Sequence, residues 1–260
     1  MTQLIFQSNP WSLLTLMLVV LGLSIEVPYR FGPLLARYKL KTDPFNAVQA
    51  GLLSLSAFVL ALSFNQTSAR FDARRSLVTR EAIAIGTTWL RANQLDPTAS
   101  KRFRQILTDY TAARVRAYDG SSQSALFRET IDQSDKDQSE LWAIASAALH
   151  THQTNPGALP LLQSTSDMIA VSLEQLQART SHLPTVVVVL TLVLVALGTL
   201  SLGFRFAFEE SRPVILSAIY VVAYVLVISM MVDYDRPDTG FVRVGLTPMT
   251  QLLQWMQRPP

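Results

Sequence analysis

Hydrophobic positions along the chain gather into four blocks instead of recurring at helical spacing throughout. A helix needs about 20 apolar residues to cross a hydrocarbon core about 30 Å thick, so block length decides the class. The first block covers 4–27, from Leu4, Ile5 and Phe6 through Trp11 to Val27, with small polar groups as its interruptions. The second runs from Phe45 to Phe64 and contains Gln49, Ser54, Ser56 and Ser63 but no ion. The third, Leu183 to Phe204, opens on the run Val186-Val187-Val188-Val189-Leu190; the fourth, Pro213 to Val232, is broken only by Ser217, Tyr220, Tyr224 and Ser229. β-Branched residues form helices poorly in water. In lipid every backbone N–H must bond within its own segment, so each block is expected to be helical.

The stretch between the second and third blocks changes to an amphipathic pattern. From Gln66 to Asn93 there is no proline, and Phe71, Val78, Ile85 and Trp89 form one stripe, so the second span is expected to continue into water as a long rod. Asp96-Pro97 is an N-cap followed by proline at the first helical position, opening a helix with Phe103, Ile106, Leu107 and Tyr110 on one face. The turn Asp119-Gly120-Ser121-Ser122 ends it. A third stretch, Gln123 to His152, carries Trp142, Ala145 and Leu149 on one stripe and is open to a break near Ser134 to Asp137. After the turn Asn155-Pro156-Gly157, a fourth helix from Leu159 to Ser181 leads into the third span, with Pro184 at the junction.

The expected fold is therefore an all-α membrane protein with four transmembrane helices in two pairs. Residues 1–64 form the first pair, 65–182 the soluble helical segment, 183–232 the second pair (spans 183–204 and 213–232) and 233–260 a C-terminal tail. Composition agrees, since 49% of the 260 residues are hydrophobic. Met1 to Pro10 has no charged side chain and Ser24-Ile25-Glu26-Val27-Pro28 is a poor cleavage site, so the first block is expected to stay as a helix. With no cysteine, thiolate chemistry and disulfides are excluded.

The net charge of +3 is read as lipid-facing, not as a nucleic-acid footprint, because the arginines cluster just after a span at Arg70, Arg74, Arg75 and Arg80. Basic residues also occupy the opposite loop, at Arg30, Arg37, Lys39 and Lys41, so the positive-inside rule alone does not orient the chain. Within the soluble segment, Arg70 to Arg116 holds ten basic residues against four acids, and Tyr118 to Glu174 two against eight. Either the helices neutralise one another within a chain, or the opposed faces belong to different subunits and fix a homo-oligomer.

Candidate chemistry is sparse. The sequence has no Gly-rich phosphate loop, no G-x-S-x-G and no H-E-x-x-H, so no enzyme, metal site or cofactor is expected. His150 and His152, two apart, point in different directions on a helix. Glu81 has Arg74 and Arg75 as prospective partners along the rod. Glu26, at the end of the first span, is either paired at the interface with Arg30 or faces a pore. Asp233 and Asp235, just beyond the fourth span, either stop the helix or ring a pore mouth, with Asp238-Thr239-Gly240 as a turn after them. Gln49, Ser56 and Ser63 follow at seven-residue intervals with Asn65 close by, and either line an aqueous path or bond to neighbouring helices.

Glu81-Ala82-Ile83-Ala84, Trp89-Leu90-Arg91-Ala92, Arg104 to Tyr110 and the run from Asp233 to Gly240 together resemble the bacterial bestrophin-like membrane family. The resemblance spans nearly the whole chain and includes the order of two spans, helical segment, two spans, which is also that of bestrophin channels. It implies a multimeric ion channel in the inner (plasma) membrane, conducting inorganic ions, with both termini and the soluble segment cytoplasmic. Under it, Gln49, Ser56, Ser63 and Asn65 are the pore-lining candidates, and Glu26, Arg70, Arg74, Arg75, Glu81, Asp233 and Asp235 the mouth or selectivity candidates. The alternative is a non-conducting scaffold or signalling protein whose helical segment binds a soluble partner.

Overall fold

The computed structural model describes residues 10–35, 42–118, 125–151, 156–181, 183–208, 213–236 and 242–258. The sequence readings on Leu4 to Phe6, Arg37, Lys39 and Lys41, the Asp119 to Ser122 turn, His152 and the Asp238 to Gly240 turn lie outside these residues. In chain order the described helices are α1 (Pro10–Leu35), α2 (Thr42–Arg91), α3 (Pro97–Tyr118), α4 (Ala125–Thr151), α5 (Ala158–Thr180), α6 (Thr185–Phe208), α7 (Val214–Asp235) and α8 (Thr247–Met256). A short 3-10 turn, Ala92–Gln94, follows α2. Contacts divide the chain into two units. One gathers α1, α2 up to Ala69, α6 and α7; the other gathers α2 from Arg70, α3, α4, α5 and α8.

Among the described residues, four helices are long and apolar enough to cross a membrane: α1, α2, α6 and α7. At about 1.5 Å per residue the 50 residues of α2 span about 75 Å, more than twice a hydrocarbon core. Its apolar part is therefore the span and the rest stands in water. In the first unit Met17, Leu21 and Ile25 of α1 meet Leu60, Val195, Val221, Val225 and Ile228 in one core. α1 and α6 approach closely through glycine, since a Cβ on Gly203 would meet the Ile25 carbonyl and one on Gly32 would meet the Ala207 side chain. Proline does not end α1: the helix passes through Pro28 and Pro33 to Leu35, eight residues beyond the expected end at Val27. Buried neighbouring helices let a membrane helix tolerate the missing donor.

The second unit packs around Ile85, Phe103, Leu107, Tyr110, Leu141, Leu161 and Met168, all within one core. The Asp96 carboxylate caps α3 by accepting N–H bonds from Thr98 (3.1 Å) and Ala99 (3.0 Å). α4 runs unbroken through Ser134 to Asp137, where Gln133 donates to Asp137 (2.8 Å) and the Ser134 hydroxyl bonds back to Thr130 (2.8 Å). Among the residues assigned to a tail, Thr247–Met256 is a helix whose Met249 is fully buried. Arg80 pairs with Glu174 (2.9 Å) and Arg102 with Glu140 (2.6 Å), so the charge-polarised halves neutralise each other at least partly within the chain.

Candidate functional site

α2 carries most of the polar chemistry, and its two faces differ. The buried stripe repeats every seven residues: Gln49, Ser56 and Ser63 on one line, Leu60, Thr67, Arg74, Glu81 and Thr88 on the next. Gln49, Ser56 and Ser63, expected among the pore-lining residues, are only 1–2% exposed. The Ser63 hydroxyl shares a hydrogen bond with Thr191 of α6 (3.0 Å) and that of Ser56 with Tyr224 of α7 (3.1 Å). Each hydroxyl also bonds to its own preceding turn, at Val59 and Leu53. Ser56 and Ser63 therefore join helices within one protomer, while the buried Gln49 amide has no hydrogen-bond partner. A hydroxyl flanked by apolar helices gains more from a facing hydroxyl than from lipid, which fixes the direction of the stripe. Of the four candidates Asn65 alone is exposed.

The outward face of α2 has a different texture. Ala47, Ala50, Gly51, Ser54, Ala57 and Ala61 are exposed, and Gly51, Phe58, Asn65, Asp72 and Thr79 form an exposed line at seven-residue spacing. Val48, Leu55 and Leu62 of α2 are exposed beside them, while the described exposed residues of α6 are all Val or Leu and α7 exposes Ile215 (77%) and Leu216 (66%). Side chains of that kind suit acyl chains.

The mouth candidates separate into distinct roles. Glu26 lies inside α1 and pairs with Arg30 one turn on, at 2.7 Å. Asp235, 1% exposed, accepts the Leu183 N–H with both carboxylate oxygens (3.0 and 3.2 Å), and Asp233, 8% exposed, accepts the Val242 N–H (2.9 Å). Both carboxylates serve main-chain donors at the end of α7 and are buried, so in the protomer they do not present an acidic mouth to solvent. Arg75 is exposed, and Arg70 donates to the Ser181 hydroxyl (3.2 Å). Arg74 is buried and caps the C-terminal end of α5, with Nε on the Ala178 carbonyl (2.9 Å) and Nη2 on that of Ser181 (2.7 Å).

Glu81 does not pair with Arg74 or Arg75 along the rod. Its partner is Arg114 of α3, with Nη2 at 2.6 Å and Nε at 2.9 Å from Oε1, in a pair closed from solvent. Burial pushes the Glu81 carboxyl above its ordinary value, with the Arg114 charge opposing. For Arg114 burial works to lower the value, but Tyr110, Glu81 and Tyr118 outweigh it and hold the guanidinium charged. Tyr118 lies under the Arg114 guanidinium at 4.6 Å and is itself pushed well up, chiefly by burial. No group of three or more metal-ligating side chains occurs among the described residues.

These features define a class: an all-helical, multi-pass membrane protein in which one helix runs from the apolar unit into a soluble helical unit. The sequence matches the family model described as Bestrophin-like domain over residues 38–249, and the chain belongs to that family. A substituted form of a bacterial bestrophin homologue from Klebsiella pneumoniae has the same fold, with a TM-score of 0.69 at 13% identity over 93% of this chain and 96% of that one. A second such form aligns at TM-score 0.70 and 14% identity, covering 96% and 98% of the two chains. The homologue solved by Zn-SAD phasing gives 0.66 at 14% identity over 95% and 98%. A search of curated proteins found no match.

Proposed function

We propose that this chain is one subunit of a homo-oligomeric ion channel in the inner (plasma) membrane, with the outward face of α2 lining the axis. The observation that carries the reading is the contrast between outward faces. α2 exposes Ala47, Ala50, Gly51, Ser54, Ala57 and Ala61 interleaved with Val48, Leu55, Phe58 and Leu62, whereas the described exposed residues of α6 are all Val or Leu. Small residues make a poor lipid surface but let helices approach closely around an axis. Four spans with their polar groups turned inward enclose no wide aqueous path in one protomer, so conduction requires several copies. Family membership supports the same class.

On this reading the line Gly51, Phe58, Asn65, Asp72 and Thr79 faces the axis, with Phe58 as an apolar constriction and Asn65 at the change from apolar to polar lining. Apolar constrictions gate by dewetting. The termini and residues 65–182 stand on the cytoplasmic side, supported by the basic cluster Arg70, Arg74, Arg75 and Arg80 beyond the span. Purified protein in planar bilayers is expected to give reproducible unitary currents, and Phe58→Ala to increase them severalfold. Absence of current across several salts and voltages would overturn the proposal and favour a scaffold whose helical unit docks a soluble partner.

A further inference from the structure

Between α1 and α7, with Phe206 of α6 also in its lining, the membrane unit holds a cavity of about 290 Å³. Ile25 and Val221, both buried in the core of this unit, form part of its wall. Leu18, Val214 and Val222 line it too and are 41%, 58% and 47% exposed, so the cavity lies on a side where α1 and α7 present aliphatic side chains outward. Gly22 adds room, because a Cβ built on it would meet nothing within 4 Å.

The polar part of the lining is Glu26 and Tyr29 on α1 and Ser217 on α7. The Ser217 hydroxyl bonds back to the Pro213 carbonyl (3.0 Å). Glu26 is paired with Arg30 at 2.7 Å, and their side chains are 31% and 71% exposed. A tyrosine and an ion pair following the apolar turns of Leu18 and Gly22 are the side chains of a membrane–water boundary. One helical turn separates the carboxylate-bearing residue from the guanidinium-bearing one, about 6 Å between Cβ atoms.

We propose that this cavity holds one acyl chain of a zwitterionic aminophospholipid, whose headgroup sits on the Glu26–Arg30 pair. The charges of such a headgroup complement the pair: its ammonium meets the Glu26 carboxylate, and its phosphate accepts from Arg30, whose planar fork suits phosphate oxygens. An anionic headgroup without an ammonium would meet Arg30 equally well but bring negative charge beside Glu26. A methylene takes about the room of one water, about 30 Å³, so the cavity accommodates about ten of them, most of one chain and not two. The site is built on α1 and α7, away from the outward face of α2, and does not depend on conduction.

The test uses the full-length protein, stripped of lipid in detergent, with thermal unfolding followed as dilauroyl phosphatidylethanolamine is added. A saturable rise in Tm is expected, about 4 °C at ten times the half-saturating lipid. Dilauroyl phosphatidylglycerol should need about tenfold more lipid for the same rise, a difference of about 1.4 kcal/mol. Gly22→Leu fills the cavity from within; it should fold without lipid and lose the rise. Glu26→Gln should keep a response but no longer distinguish the two headgroups. Phosphatidylethanolamine brominated in its acyl chain should give an anomalous peak between Gly22 and Ala218 in crystals of the unsubstituted protein, a readout that survives if a variant fails to fold. Equal Tm with and without lipid, an undiminished rise in Gly22→Leu, an unchanged headgroup preference in Glu26→Gln, or a side chain from a second copy in place of the bromine would each overturn the site.

Discussion

Arg114 and Glu81 are 2% and 0% exposed and form an ion pair in the second unit's core. Removing one partner of such a pair leaves a buried charge uncompensated and costs about 3–5 kcal/mol, whereas replacing both with apolar groups is often neutral. Arg114→Leu is therefore expected to lower unfolding stability by about that amount near neutral pH, and Glu81→Leu with Arg114→Leu to recover most of it. The pH dependence has a definite sign. Because burial raises the Glu81 value above its usual 4.5, the folded chain holds this proton more tightly than the unfolded chain. Stability from this group is complete below about pH 4.5 and declines as pH rises through the folded value. The Arg114→Leu loss should thus be smaller in urea unfolding at pH 4.5 than at pH 8; equal losses would contradict the assignment. Helical spacing directed Glu81 to Arg74 and Arg75, yet its partner is 33 residues away on another helix. Periodicity reports neighbours along one helix and is silent about pairs made by packing. The same limit applies to Gln49, Ser56 and Ser63: seven-residue spacing placed them on one face, and only α6 and α7 reveal where that face points.

α8 is the element that the sequence reading passed over as tail. Its signals are present in Thr247-Pro248 at the start and Met249, Leu252, Leu253 and Met256 at i, i+3, i+4 and i+7, but ten residues are too few to stand out against a proline-containing terminus. Tertiary packing makes up the difference. Met249 is fully buried, Trp255 meets Trp89 at 4.8 Å between ring centroids, and a Cβ on Gly86 would stand 3.2 Å from Leu252. Met249→Ala is expected to cost about 2–5 kcal/mol in unfolding measurements, as for other fully buried methionines. A change within about 0.5 kcal/mol would show α8 to be loosely held. The longer helices were legible because their cues are local: Asp96-Pro97 opens α3 as written, and the proline-free run after Gln66 carries α2 to Arg91. The end of α1 was not, because a proline that stops a helix in water is carried through in a membrane helix packed against its neighbours.

Four spans around a soluble helical segment were legible from block lengths alone, because the hydrocarbon thickness sets a length that few soluble helices meet. The number of copies leaves no such imprint on one chain, and the functional surface belongs to the oligomer. It follows that the outward face of α2, with its small residues and the line through Phe58 and Asn65, carries the central claim. The absence of native cysteine makes that face directly addressable, since any thiol effect comes from the introduced residue. The decisive measurement is single-channel recording of Asn65→Cys and, separately, Ser56→Cys during exposure to a charged methanethiosulfonate reagent. The account predicts rapid block or a stepwise conductance change in Asn65→Cys and none in Ser56→Cys, whose side chain faces α7. Block of Ser56→Cys with Asn65→Cys unaffected would contradict it and return the pore to the buried polar stripe.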